Sequence, residues 1–125
     1  RPRRTVVAGG LGTVALAMVL LALVVDHAPS APAVCAGVVL VALAAWAVWG
    51  PSFAMLGEMF DERELSTAFG LYNTVCVLGA VVGPGLTGWA RDLTGSFAAG
   101  CYASAAVALA GGLLALRIGE RPRSA

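Results

Sequence analysis

Trp46, Trp49 and Phe53 stand at i, i+3 and i+7, with Gly50 at i+4, so one helical face carries three aromatic rings. A second group, Tyr72, Asn73 and Cys76, follows further along the chain. Rings offer flat apolar faces, while an amide, a phenol and a thiol offer hydrogen-bonding atoms. Such a set suits contact with a small solute, or plain core and lipid-facing packing of the Trp rings, better than the making of bonds. No Ser/His/Asp set is present, and the hydroxyls lack a nearby base, so no enzymatic activity is expected. The sole histidine, His27, has no second ligand near it in sequence. Cys35, Cys76 and Cys101 are odd in number and each sits in an apolar run. They read as small buried hydrophobes, not as disulfide partners or metal ligands. Neither a metal nor a cofactor is expected.

The elements that hold these residues follow from composition. The chain has 125 residues, of which 59% are apolar and 12% charged, and its mean hydropathy is +0.87. A soluble domain carries about 25% charged residues and about 45–50% apolar ones. A chain of ~125 residues still exposes about a third of its extended surface when folded. Too few polar side chains exist to cover that area, so the solvent is lipid. Eight Arg against seven acids give a net charge of +1, with no basic patch for nucleic acid. The charges divide the chain into four uncharged stretches, with spans at approximately 5–25, 33–57, 66–90 and 96–116 of a single membrane domain, 1–125. At 1.5 Å rise per residue each can cross a hydrocarbon core about 30 Å thick. The run VALAMVLLALVV lacks the alternation a barrel strand requires. The expected fold is all-α: a polytopic membrane protein with four transmembrane helices. A signal peptide is the poorer reading of the amino end, because the apolar run has 21 residues and a signal's core has about 7–15.

Arginine sets the expected orientation. Arg1, Arg3 and Arg4, the middle-loop Arg63, and Arg117, Arg121 and Arg123 fall on one side by alternation, whereas Arg91 falls on the other. By the positive-inside rule both termini and the loop holding Glu58 and Arg63 are cytoplasmic. Trp49 then lies ~13 Å above the cytoplasmic end of its span, and Tyr72, Asn73 and Cys76 lie ~12–18 Å above the start of theirs. The two groups meet at similar depth, away from the interfacial belt where Trp and Tyr are routine. An amide in hydrocarbon costs free energy unless paired, so Asn73 is expected to face a partner helix or a wet cavity.

Two hinges are expected. Pro51, after Gly50, lacks an N–H and its ring clashes with the preceding turn; Pro84, after Gly83, weakens the outer half of the third span. Small residues at four-residue spacing, Gly79 and Gly83 in the third span and Gly100, Ser104, Ala108 and Gly112 in the fourth, allow close approach of helices in lipid.

The stretch from Trp49 to Phe97 resembles helices ten to twelve of a major facilitator superfamily transporter. The similarity lies in Glu58 and Phe60 closing one helix, Arg63 in a short loop, Ala68 and Gly70 opening the next, then Asn73, Leu78, Gly79, Gly83 and Pro84. Gly88, Asp92, Thr94 and Gly95 complete the pattern. Arg3 and Arg4 look like the end of the basic loop before helix nine, with Pro2 where a Gly is usual. Asp61 stands where many members have Pro, and Glu62 and Glu64 make the loop more acidic. The resemblance implies the carboxyl-terminal helices nine to twelve of such a transporter. It places Trp46, Trp49, Phe53, Tyr72, Asn73 and Cys76 along the substrate pathway, with the first and fourth spans as scaffold.

The expected function is movement of a small solute by alternating access across the plasma or inner membrane, in concert with the remaining helices of a longer chain. No ionisable group stands at membrane depth in these spans, so any coupling ion is expected to act elsewhere. Two other readings stand beside it. One is a small four-helix membrane subunit with a structural or assembly role. The other is a small multidrug exporter, whose family depends on a Glu in its first helix that is missing from Thr5 to Val25.

Overall fold

A computed structural model describes residues 3–117. Arg1, Pro2, Arg121 and Arg123 of the charge pattern lie outside the described residues. The described chain forms four helices: α1 (Arg3–His27), α2 (Ala31–Met59), α3 (Glu62–Thr94) and α4 (Ala98–Arg117). All four are long and apolar enough to cross a bilayer, and the chain is an all-α multi-pass membrane protein. At 1.5 Å per residue α3 is ~50 Å long and α4 ~30 Å, so α4 matches a hydrocarbon core and α3 exceeds it.

Each helix ends for a local reason. Pro occupies the first turn of α2, where a missing N–H costs nothing, and Val34 N–H donates to Ser30 O at 3.0 Å. Phe60 and Asp61 alone connect α2 to α3. Glu58 and Arg63, expected in a loop, therefore lie in the last turn of α2 and the first turn of α3. The Asp61 carbonyl accepts from Glu64 N–H at 2.9 Å and Leu65 N–H at 3.0 Å. Glu62 and Glu64 occupy the first turn of α3, where negative charge complements the helix dipole. That placement accounts for the acidity of the segment. Gly95, at φ 75°, closes α3 in the left-handed region and donates its N–H to Arg91 O at 2.7 Å. Ser96 Oγ then accepts from Ala98 N–H at 3.1 Å, so α4 begins at Ala98 and not at 96.

Packing is uneven. α1 lies between α4 and α2, most extensively against α4, while α3 touches α4 and α2 only lightly and has no buried residue. The core is made largely of small side chains: Ala15, Ala17, Ala22, Ala98, Ala105 and Ala115 are buried. Val7, Val48 and Ala115 form its centre, with Leu11, Val14 and Met55 against them. In lipid, apolar burial gives little net drive, and close backbone approach supplies dispersion in its place. A Cβ at Gly10 would stand 2.7 Å from Val48 Cγ2, one at Gly37 2.8 Å from Leu21 Cδ1, and one at Gly112 3.4 Å from Ala8 O. A Cβ at Gly100 would likewise stand 2.5 Å from Thr87 Cγ2. The small-residue ridge of α4 is thus used in packing. Gly79 and Gly83 of α3 meet nothing within 4 Å, because α3 contacts its neighbours near its two ends.

At the end of the bundle opposite Phe60, Ser96 Oγ donates to Asp26 Oδ1 at 3.0 Å. Arg91 lies 4.8 Å over the Phe97 ring. These contacts tie the α3–α4 connection to the end of α1.

Gly10→Leu is expected to destabilise the chain by about 1–3 kcal/mol through overpacking against Val48. Gly9→Leu, at a position with nothing within 4 Å, is expected to change it little. Apparent melting temperatures of the two variants in detergent check the contrast.

Candidate functional site

Val48 and Ser52, one turn apart, are the buried residues of α2 and turn toward the core. The neighbouring face carries the rings. Trp46 and Trp49 stack with centroids 5.6 Å apart, Trp49 and Phe53 lie 5.7 Å apart, and Phe53 meets Tyr72 edge-on at 5.3 Å. Phe69 joins Phe53 at 5.4 Å. Phe53 is thereby the hinge pin of the cluster and the contact through which α3 is held against α2.

Between α1 and α2 runs a groove of about 490 Å³, walled by Leu11 and Val14 on one side and Trp49, Ser52 and Met55 on the other, with Tyr72 at its rim. That volume lies within the range of about 300–1,000 Å³ usual for small-molecule sites. Ser52 Oγ donates to Val48 O at 2.8 Å inside it. Tyr72 and Ser52 line the same groove, and Cys76 lies one turn beyond Tyr72 on α3. Apolar walls, an aromatic edge and two hydroxyls can hold a solute and orient it; they can do no covalent chemistry unaided.

Of the expected pathway residues, Trp46, Trp49, Phe53 and Tyr72 come together in one cluster, and Cys76 stands one turn beyond Tyr72. Trp46 is 71% exposed and Trp49 39%, so the outer rings of the ladder face outward from the bundle. Asn73 is exposed on the adjacent face of α3, apart from the groove lining. Phe69 and Ser52 were not among the expected residues. Phe69, Tyr72 and Cys76 share the i, i+3, i+7 spacing that marked α2, and Ser52 follows Pro51 one turn after the buried Val48, so both carried a readable signal.

The expected hinges take a particular form. α2 and α3 continue as helices through Pro51 and Pro84. Beside Pro51 the Ser52 hydroxyl bonds back to Val48 O, and after Pro84 the Thr87 hydroxyl donates to Gly83 O at 3.0 Å. Hydroxyls that bond back to the carbonyl four residues earlier bend a helix and keep a polar partner at the weakened ladder. Gly50 has open space at its Cα, as does Gly83.

The family model of the Major Facilitator Superfamily matches residues 1–125. The chain belongs to the major facilitator superfamily. No curated protein matches it, and neither does any solved structure. Members of this superfamily are transporters that bind small molecules within a membrane. Membership also agrees with the four membrane helices deduced from charge spacing.

In this superfamily member Phe53 is expected to couple α2 to α3. Phe53→Ala and Phe69→Ala should each lower stability, and a double-mutant cycle should return a coupling of about 0.5–1.5 kcal/mol, measured by reversible unfolding in mixed micelles.

Proposed function

We propose that the chain forms part of a secondary-active transporter that moves a small solute by alternating access. Its four helices then correspond to helices nine to twelve of the superfamily fold, working with the remaining helices of the transporter. Both termini and the Phe60–Asp61 connection face the cytoplasm, and the membrane is the plasma or inner membrane.

The observation that carries this reading is the groove beside the aromatic ladder, lined by Trp49, Ser52 and Tyr72 inside a membrane-spanning unit. Exposure of Asn73, about a third of the way along α3, supports a further surface against that face, since an amide is not left unpaired in hydrocarbon. The light packing of α3 supports the same idea: fixed near Phe53 at one end and near Gly100 and Phe97 at the other, its middle is open to a second group of helices. In transporters, broken or bent helices beside the substrate let one bundle rock on the other. Pro51 with Ser52, and Pro84 with Thr87, supply such points. The whole-chain family match favours this reading over a non-transporting four-helix subunit.

Asn73→Ala and Trp49→Ala are expected to reduce uptake several-fold in the full transporter at equal expression, while Leu114→Ala, on the exposed face of α4, leaves it near the parent value. Equal uptake by all three variants removes the pathway assignment. Protease protection of a tag after residue 125 is expected in sealed right-side-out cells; its cleavage from outside reverses the orientation.

A further inference from the structure

The hydroxyl pair in the groove restricts what the groove can accept. Ser52 is 7% exposed, and its one proton is committed to Val48 O at 2.8 Å. A carbonyl cannot donate, so the direction of this bond is fixed, and toward the groove Ser52 presents oxygen lone pairs alone. Tyr72 also lines the groove and brings one proton and its own lone pairs, so the phenol can donate to a solute or accept from one. Ser52, in contrast, can be met from the groove only by a donor.

The rest of the lining sets the shape and charge. Trp49 supplies a ring face; Leu11, Val14 and Met55 supply aliphatic walls. Among the described lining residues none carries a formal charge at neutral pH, so neither an anion nor a cation meets a counter-ion there.

We infer that the groove selects an uncharged, flat, largely apolar solute that offers one O–H or N–H donor to the Ser52 oxygen. The inference rests on the proposed transport reading in taking the groove as the solute's path, and it deepens that reading by naming the solute's class.

The test is equilibrium dialysis of the full chain in detergent micelles, against protein-free micelles, with four probes sharing one ring system. They are 2-naphthol, 2-methoxynaphthalene, naphthalene-2-carboxylate and (2-naphthyl)trimethylammonium. Saturable binding of 2-naphthol is expected, about three- to tenfold tighter than that of the methyl ether, with both ions weaker still. Ser52→Ala is expected to abolish the preference of alcohol over ether, and Ser52→Thr to restore it. Tyr72→Phe, which keeps the ring and leaves Ser52 in place, is expected to retain the preference.

Equal affinity for alcohol and ether, tightest binding of either ion, an unchanged preference in Ser52→Ala, or no saturable binding above micelles overturns the inference. Uptake into proteoliposomes by the full transporter separates the two claims. Donor-selective binding without uptake by the full transporter removes the transport reading alone, whereas uptake without donor selectivity removes this one alone.

Discussion

Close approach of backbones at glycine and alanine governs the architecture. Lipid tails are as apolar as leucine, so a leucine-rich surface gains little by leaving them, and helices adhere where small residues let main chains come near. α1 meets this condition on two sides. It receives α2 through Gly10 and Gly37, and α4 through Gly112, and its own alanines at 15, 17 and 22 are buried. Those contacts form a three-helix unit to which α3 is attached only near its ends.

The site follows from that arrangement. Because Val48 is drawn into the centre of the unit, Ser52 one turn on is drawn in as well, and Trp49 is set at the groove's edge. The rings of Trp46, Trp49 and Phe53 continue away from the core along α2, where they meet Phe69 and Tyr72. A polar atom in such surroundings needs a partner, and the proline before Ser52 makes backbone carbonyls available there. One short segment, Trp49 to Phe53, therefore combines a helix weak point, a buried hydroxyl and the start of an aromatic wall.

Charge position and apolar run length were enough to read the four helices and the fold class from the chain. The bilayer fixes the length of a span, and the backbone has no other way to satisfy its polar groups inside it. The aromatic face of α2 was legible for the same reason, since helical spacing converts directly into a shared face. Less legible were the features that depend on which helix meets which. Gly79 and Gly83 have the spacing of a packing ridge, as Gly100 and Gly112 do, yet only the α4 pair is covered. Spacing states that a helix can be approached closely; it does not state which neighbour does so. Glu58 and Arg63 were expected in a loop because charges interrupt the apolar pattern there, whereas Asp61 starts α3 early enough that Arg63 falls inside its first turn.

The same distinction explains why the groove's hydrogen-bonding character was not readable from either segment alone. A serine beside a proline in a membrane helix is adequately explained by back-bonding to the preceding turn. A tyrosine on α3 is adequately explained by its ring against Phe53. The back-bond commits the serine's proton to the Val48 carbonyl, and the packing of α2 against α1 places that serine on the wall of a groove. Phe53 holds Tyr72 where it lines the same groove. An acceptor and a phenol thus come to border one space at the junction of three helices, which is a property of no single sequence segment.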